Sequence, residues 1–318
     1  MATINDFLKE WYSADDYVIA HTSGSTGIPK QIKLLKKDMV VSAEATNRFF
    51  GINSDSVLIS PLSTDYIAGK MMVVRAEIAG CRLIEIPVSN RIELPCAVDL
   101  LPVVPSQIPS ILENRCSDKM IRNLLIGGAP LSDKLAEAVK SRGINAWLGY
   151  GMTETCSHVA LRKVGEESIF TAMPGVEFRT DARDCLVILS DKYSWGSLVT
   201  NDVVRLIDSR RFEWLGRFDN VINSGGIKIH IESLEREISL LIPELSAFYL
   251  VGIPDEKWGT ALAMVAVNPP VDIMEKLKAT LPDKKKLPKK VFVVNNLPVT
   301  ANGGKIRRIV PDSINRIY

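Results

Sequence analysis

A run of hydroxyl residues, glycines and one lysine at positions 21–30, reading HTSGSTGIPK, directly follows the apolar segment 17–20. Such a run can hold phosphate, because bare glycines let backbone N–H groups close around phosphoryl oxygens while hydroxyls and an ammonium add donors and positive charge. It is not a Walker A loop, because no glycine precedes Lys30 and no Ser or Thr follows it. A P-loop kinase or GTPase is therefore disfavoured. The alternative for the loop by itself is a glycine- and serine-rich surface turn.

The overall charge balance gives no general reason to expect nucleic acid or a membrane as a partner. The 318 residues carry 39 Lys and Arg against 37 Asp and Glu, for a net charge of +2. The densest basic stretch, at 284–290, has no interleaved aromatic residues and is expected to be a solvated face. No stretch approaches ~18 uninterrupted apolar residues. Five widely spaced cysteines without a C-x-x-C pair predict reduced thiols in a cytoplasmic protein.

Apolar periodicity predicts an α/β protein of about two domains. Strand-like and helix-like stretches alternate through the first two thirds, which is typical of a large N-terminal α/β domain with a mostly parallel sheet. One helix is predicted to take Asp38 as its N-cap and to end at Gly51, and another to span 67–79. Short strands with turns at 175–212 indicate a small β subdomain. The last third predicts a small α+β unit with two helices.

Further motifs follow the loop along the chain. They read GGAP at 127–130, YGMTE at 150–154, TND at 200–202, GRFDNVINSGGIKI at 216–229, VGIPDEKWG at 251–259 and LPVTANGGKIRR at 297–308. Together with the loop they resemble the adenylate-forming superfamily of acyl-CoA synthetases, luciferases and peptide-synthetase adenylation domains. In that superfamily the loop reads T-S-G-[ST]-T-G-x-P-K. The resemblance covers nearly the whole chain and keeps the order of the motifs.

The resemblance implies an ATP site in this chain. Its phosphates are expected on the loop, through Thr22, Ser23, Gly24, Ser25, Thr26, Gly27 and Lys30. Gly127, Gly128 and Ala129 are expected to line the adenine, since bare glycines let a flat ring approach the backbone. Tyr150, followed by Gly151, is expected to pack on the same ring.

The resemblance also implies where the chemistry at the α-phosphate and the ribose takes place. Thr153 is expected to donate its hydroxyl to the α-phosphate, and Glu154 to hold Mg²⁺, which prefers hard carboxylate ligands. Asp202 is expected to accept both ribose hydroxyls, and Arg217 to reach the ribose or the α-phosphate. The alternatives are ordinary ones: a Thr-Glu pair can start a helix, and an isolated Asp can simply form a turn.

The domain division implied by the resemblance is an AMP-binding domain at 1–217 and a mobile C-terminal lid at 218–318. Asp219 is the expected hinge. Ser224, Gly225 and Gly226 are expected beside a CoA tunnel. Lys305 is the expected catalytic lysine, bridging the substrate carboxylate and the α-phosphate as charge develops. A second glycine precedes it, so it stands one residue later than in the usual P-x-x-x-x-G-K spacing.

The activity implied is that of an ATP-, Mg²⁺- and CoA-dependent acid–CoA ligase. A small carboxylic acid attacks ATP to give acyl-AMP and pyrophosphate, and CoA then displaces AMP. The stretch at 149–158 and the run IAGKMM at 67–72 most resemble the o-succinylbenzoate–CoA ligases of menaquinone biosynthesis. Transfer to a carrier-protein thiol, another aryl or acyl acid, and a non-catalytic nucleotide-binding subunit stay open as alternatives. A homo-oligomer is left open too.

Some positions depart from the family pattern. Only about twenty residues precede the phosphate loop, so the chain is expected to be an N-terminally shortened version. Asn201 replaces the usual glycine, although Asn also tolerates left-handed backbone. Tyr66 stands near the position of the aromatic or His residue at the entrance of the acyl pocket.

If the acid is o-succinylbenzoate, its second carboxylate needs a cation or several donors inside an apolar pocket. The candidates are Lys70 and Arg75 on the predicted helix at 67–79, or Ser157, His158 and Arg162 beyond the YGMTE motif. For Lys70 and Arg75 the alternative is solvation on the surface of the helix.

Overall fold

The computed structural model describes residues 3–21, 31–114, 117–166, 168–245, 247–298, 308–311 and 313–318. Its helices are α1 Ile4–Trp11, α2 Lys36–Phe50, α3 Ile67–Ala79, α4 Ile108–Glu113, α5 Ser117–Met120, α6 Asp133–Ser141, α7 Ile231–Leu241 and α8 Ile273–Thr280. Its strands are β1 Tyr17–His21, β2 Gln31–Leu35, β3 Val57–Ser60, β4 Arg82–Glu85, β5 Leu101–Val103, β6 Leu124–Ile126, β7 Ala146–Met152, β8 Ser157–Lys163, β9 Ile169–Ala172, β10 Glu177–Thr180, β11 Cys185–Leu189, β12 Ser197–Asp208, β13 Arg211–Arg217, β14 Val221–Ser224, β15 Ile227–His230, β16 Phe248–Asp255, β17 Gly259–Val267, β18 Lys290–Val294 and β19 Arg316–Ile317. In this described part of the chain, no helix is long and apolar enough to cross a bilayer.

The two helices predicted early in the chain are confirmed, and glycines end them. Helix α2 stops at Gly51 and α3 at Gly80, whose φ angles of 66° and 64° lie in the left-handed region open to glycine. The predicted N-cap at Asp38 is wrong, because Leu35 occupies that position. The buried Asp38 carboxylate instead accepts hydrogen bonds from the backbone N–H and the hydroxyl of Ser194, at 2.8 and 3.0 Å. A long-range contact thus replaces the local cap.

The predicted α/β class is confirmed. Among the described residues, one sheet joins nine strands in the order β10-β11-β12-β13-β9-β8-β7-β6-β5. β5, β6 and β7 pair in parallel, and β3 pairs in parallel with β4. From β7 onward, β8, β9 and β13 pair antiparallel. The carboxyl ends of β6 and β7 therefore meet at one edge, where open α/β sheets bind their ligands.

The chain divides into two compact units. The first comprises Met1–Arg179, Val187–Val199 and Leu206–Glu213, and the second comprises Thr180–Leu186, Thr200–Arg205 and Trp214–Tyr318. In the first unit, a buried cluster joins α1, β1, α2 and α3.

The second unit confirms the α+β composition predicted for the last third of the chain. β16, β17, β18 and β19 form a sheet with apolar residues on both faces. One face, through Leu250 and Met264, packs with Leu234 of α7 and Leu277 of α8. The other face carries a separate cluster that includes Tyr249. Because both faces are covered, β17 is buried along nearly its whole length.

Candidate active site

The predicted phosphate loop is flanked by a two-stranded hairpin. β1 and β2 pair antiparallel, from Tyr17 opposite Leu35 to His21 opposite Gln31. The apolar segment 17–20 before the loop thus lies in strand β1, and β2 was not expected. The predicted site residues Thr22, Ser23, Gly24, Ser25, Thr26, Gly27, Lys30 and Lys305 lie outside the described residues, and their roles stay predictions.

Gly127, Gly128 and Ala129 lie directly after β6, at the sheet edge shared with β7. Gly128 has a φ of 80°, a backbone conformation that residues other than glycine rarely adopt. A Cβ added at Gly127 would meet nothing within 4 Å. The space beside Gly127 is therefore open, and the role of these residues in lining the adenine stays a prediction.

Tyr150 and Gly151 lie within β7, which runs over Ala146–Met152. Its pairing with β8 changes register between Tyr150 and Gly151, which marks a β-bulge. A Cβ on Gly151 would lie 2.2 Å from the carbonyl oxygen of Ser157, so only glycine fits. The bulge re-aims the turn that follows.

An aromatic cluster positions the ring of Tyr150. Its centroid lies 5.0 Å from that of Phe212 and 5.7 Å from that of Phe170, and Phe178 packs edge-on against Phe212. Tilted and edge-to-face pairs of this kind add about 0.5–1.5 kcal/mol each beyond the burial of area. No sequence pattern predicts this cluster, because its members come from four different strands and share no spacing along the chain.

Thr153 and Glu154 lie in a tight turn between β7 and β8, so the alternative of a helix start is wrong. The hydroxyl of Thr155 lies 2.6 Å from the carbonyl oxygen of Ser157 and ties the turn together. Cys156 and Ser157 adopt φ angles of 54° and 97°. The value at Ser157 is unusual for a residue with a side chain and stores local strain. This backbone places the Ser157 hydroxyl against α3.

Glu154 is the predicted magnesium ligand. Within the described residues, no group of three or more His, Cys, Asp or Glu side chains could hold a metal ion by itself. A Mg²⁺ ion bound with a nucleotide needs only one or two carboxylates, because phosphates and water supply the other oxygens. A half-buried Glu154 fits that requirement, and the magnesium site stays a prediction.

Lys70 on α3 is a buried cation that already has a partner. Its Nζ lies 3.0 Å from the carboxylate of Glu10 on α1 and 4.6 Å from the centroid of the Phe7 ring. The other carboxylate oxygen of Glu10 accepts the backbone N–H of Ile19 at 2.6 Å. The alternative that Lys70 is solvated on the helix surface is therefore wrong. Helix α1, which the sequence did not lead us to expect, covers it. Tyr66, by contrast, is the N-cap of α3 and is 58% exposed.

Arg75, farther along α3, is 1% exposed, so the alternative of a solvated position on the helix surface is wrong for Arg75 as well. Its Nη2 donates to the Ser157 hydroxyl at 2.9 Å and its Nη1 to the sulfur of Met72 at 3.4 Å. Its buried Nε has no partner, and no carboxylate forms an ion pair with it, among the described residues. Burial lowers the pKa of Arg75 to about 10, which leaves it protonated at neutral pH. Arg162, the other cationic candidate, lies over the ring of Phe170.

His158 on β8 is buried in the same place. Its Nδ1 lies 3.3 Å from the Ser157 hydroxyl and its Nε2 3.3 Å from the hydroxyl of Thr46 on α2. Burial, and then the positive charge of Arg75, hold the pKa of His158 well below its usual value of 6.5. The Arg75 cluster, defined as Arg75, Ser157, His158 and Thr46, therefore carries one positive charge at pH 7.

We expect the stability of the folded protein to decrease as the pH is lowered, partly because of His158. Its folded-state pKa lies below that of the unfolded chain, so the unfolded state takes up a proton first as pH decreases through about 6.5. Stability is therefore highest above that pH and is lost below it, with a slope approaching about 1.4 kcal/mol per pH unit. Urea unfolding of wild type and His158→Gln from about pH 8 to about pH 5 isolates this effect, because groups common to both proteins cancel. Parallel profiles would contradict it.

Asp202, Arg217 and Asp219 lie close together in the second unit. Arg217 Nη1 lies 3.5 Å from Asp202 Oδ1, and its Nη2 lies 3.5 Å from Asp219 Oδ2. Asp202 belongs to the extended strand β12, not to a turn. Asn201 precedes it without positive φ, so its tolerance of left-handed backbone is not what that position uses. Asp219 falls in the 3-10 turn Phe218–Asn220, and its role as a hinge stays a prediction.

Ser224, Gly225 and Gly226 form the tip of the hairpin between β14 and β15. Gly225 and Gly226 have φ angles of 56° and 82°, the pattern of a two-residue type I′ turn. A Cβ on Gly225 would lie 2.2 Å from the ring of Trp258, so a side chain is excluded for a second reason. The predicted CoA tunnel beside this tip is not tested by the geometry.

The model of the AMP-binding enzyme family matches residues 5–184, which is more than half of the chain. The chain therefore belongs to the AMP-binding enzyme family. An acyl-CoA synthetase (AMP-forming)/AMP-acid ligase II-like protein from Dyadobacter fermentans is 31% identical, with a TM-score of 0.63 over 95% of this chain and 90% of that one.

Other relatives are acid–CoA ligases by name. A long-chain-fatty-acid–CoA ligase of Mycobacterium tuberculosis is 26% identical over 93% of this chain and 67% of its own length. A 2-succinylbenzoate–CoA ligase of Bacillus cereus is 25% identical over 95% of this chain and 71% of its own length. The o-succinylbenzoate coenzyme A synthetase of Bacillus subtilis, solved with ATP and magnesium ion, has the same fold, with a TM-score of 0.76 at 22% identity over 91% of this chain and 68% of that one. The family and these relatives support an AMP-forming acid–CoA ligase as the enzyme class.

Proposed function

We propose that this protein is an AMP-forming acid–CoA ligase whose acid carries a second, non-reacting carboxylate, with o-succinylbenzoate as the substrate and menaquinone biosynthesis as the setting. In the first half-reaction the acid attacks the α-phosphorus of ATP, pyrophosphate leaves and acyl-AMP forms. In the second, the CoA thiol attacks the acyl carbonyl and AMP leaves. Family membership and the named relatives support the reaction.

The proposal that the acid has a second carboxylate is supported by Arg75, whose buried positive charge has no counter-charge among the described residues. A buried cation without a counter-charge is costly, and strongly desolvated ionisable groups cluster at functional sites. Lys70, on the same helix, shows how the fold satisfies a buried cation when it uses only its own residues, because Glu10 pairs with it. Among the described residues Arg75 has no such carboxylate.

A substrate with a second carboxylate supplies that missing partner. The guanidinium Nε and the Ser157 hydroxyl are donors of the kind that a carboxylate accepts. A long-chain fatty acid has one carboxylate, which is consumed in the reaction, and so leaves Arg75 unpaired. The Arg75 cluster therefore favours a dicarboxylic acid over a fatty acid.

The remaining site residues take the following roles in the proposed reaction. Glu154 binds Mg²⁺, which neutralises charge as pyrophosphate leaves. Thr153 donates to the α-phosphate, and Asp202 accepts the ribose hydroxyls with Arg217 beside it. Lys305 stabilises the charge that develops as the carboxylate attacks phosphorus.

Acid-dependent exchange of labelled pyrophosphate into ATP tests the proposal on the purified protein. We expect AMP and pyrophosphate as products, and a kcat/KM for o-succinylbenzoate ~10²-fold or more above that for 4-oxo-4-phenylbutanoate, which lacks only the aromatic carboxylate. Formation of ADP in place of AMP would rule out adenylation. Equal rates with the two acids would rule out the dicarboxylate and leave a general acid–CoA ligase.

A further inference from the structure

The strand segment before Asp202 is held by one arginine, Arg183. Its Nε donates to the carboxylate of Asp181 at 2.9 Å, and this hydrogen bond fixes the orientation of the guanidinium group. Its Nη1 donates to the side-chain carbonyl of Asn201 at 3.1 Å, and its Nη2 to the backbone carbonyl of Thr200 at 3.3 Å. The guanidinium carbon also lies 5.1 Å from the centroid of the Phe218 ring. All these groups belong to the second unit.

Asn201, which stands where the resembled family usually has glycine, supplies the side-chain oxygen that Arg183 Nη1 bonds to. A glycine at this position offers no side-chain acceptor, so Arg183 Nη1 would lose its partner. Arg is suited to such a role because its planar fork holds several acceptors in one fixed geometry. The contact between Arg183 and Asn201 therefore depends on the asparagine side chain.

The carboxylate of Asp202 is oriented by a second group. The indole Nε1 of Trp214 donates to its Oδ1 at 3.1 Å. The backbone N–H of Asp202 donates to the hydroxyl of Thr200 at 3.0 Å, and that hydroxyl donates to the carbonyl of Leu186 at 2.9 Å. Backbone and carboxylate are thus fixed by separate contacts.

We propose that Arg183 and Trp214 are positioning residues that hold the Asp202 carboxylate in the orientation that accepts ribose hydroxyls. The inference rests on the proposed function for the role of Asp202 itself. Arg183 acts on the backbone of the segment through Thr200 and Asn201, and Trp214 acts on the carboxylate. Neither residue touches the nucleotide in this role, so their effect is on discrimination between ribose and deoxyribose.

Calorimetric titration with AMP and with 2′-deoxyAMP tests this directly. Hydrogen bonds to a charged group predict that wild type binds AMP roughly 10- to 100-fold more tightly than 2′-deoxyAMP. In Arg183→Gln and in Trp214→Phe we expect that ratio to fall at least about threefold, because a misoriented carboxylate no longer distinguishes the two sugars. If the two residues only stabilise the fold, the substitutions would weaken the binding of AMP and 2′-deoxyAMP equally and leave the ratio of their affinities unchanged.

Arg211→Gln is the matched control. Arg211 is a half-exposed arginine that forms an ion pair with Asp208 at 2.8 Å, as Arg183 does with Asp181, and it has no part in the Asp202 contacts. We expect it to keep the wild-type ratio and the wild-type thermal midpoint. A wild-type ratio near one, or an unchanged ratio in both test variants, would overturn the inference. Sugar discrimination that depends on Arg183 and Trp214, together with no acid-dependent pyrophosphate exchange, would refute the proposed function and leave the inference standing.

Discussion

The Lys305→Ala enzyme is expected to lose acyl-AMP formation while still converting supplied acyl-AMP and CoA to thioester. The lysine stabilises charge that develops only as the carboxylate attacks phosphorus. Removal of one preorganised donor of this type costs ~2.7–4 kcal/mol, or roughly 100- to 1000-fold in rate. Acid-dependent pyrophosphate exchange measures the first half-reaction, and AMP release from synthetic acyl-AMP with CoA measures the second.

Lys285→Ala is the control for charge removal, because Lys285 is an exposed lysine of the second unit. It should leave both half-reactions at the wild-type rate. Equal damage to the two half-reactions in Lys305→Ala would contradict the assigned role. No damage to either would mean that the extra glycine before Lys305 takes this lysine out of the reaction.

Arg75→Met is expected to abolish most of the preference for the dicarboxylic acid. The second carboxylate of o-succinylbenzoate would then be desolvated without a cation, so its kcat/KM should fall ~10²-fold, while that for 4-oxo-4-phenylbutanoate changes little. Stability should stay the same or rise, because methionine removes a buried charge that has no carboxylate partner among the described residues. Kinetics with both acids and a thermal melt measure the two effects.

Lys70→Met provides the matched comparison on the same helix. It removes a buried cation that is already paired, which leaves the Glu10 carboxylate without its partner. We expect a lower thermal midpoint and an unchanged ratio between the two acids. If Lys70→Met and Arg75→Met altered the acid preference equally, the difference between a paired and an unpaired cation would not be what selects the substrate.

Local patterns predicted the fold class and the two helices α2 and α3 well, but not α1. Gly51 and Gly80 end α2 and α3 in the left-handed conformation, which glycine adopts at lower cost than residues with a side chain. The Asp38 cap failed for the converse reason. An Asp at a helix start is ambiguous by itself, and Ser194, 156 residues away, decides what its carboxylate bonds to.

The candidate site shows the same division. Gly151 could be recognised from its motif, and the structure explains it by the close approach of the Ser157 carbonyl oxygen. The aromatic cluster around Tyr150 could not, because Phe170, Phe178 and Phe212 are neighbours only across strands. The bracing of Asp202 by Trp214 has no signature in local spacing either.

The amino-acid sequence by itself determined the family, the order of the motifs and which residues could serve as cations or carboxylates at a site. These properties depend on residues that are neighbours along the chain, where short-range sterics and residue chemistry act. Only the tertiary structure decided that Lys70 is neutralised by Glu10 while Arg75 meets Ser157 and no carboxylate of the described residues. The reason is that charge compensation in a buried site depends on which groups lie within a few ångströms, and those partners come from 60 and 82 positions away along the chain.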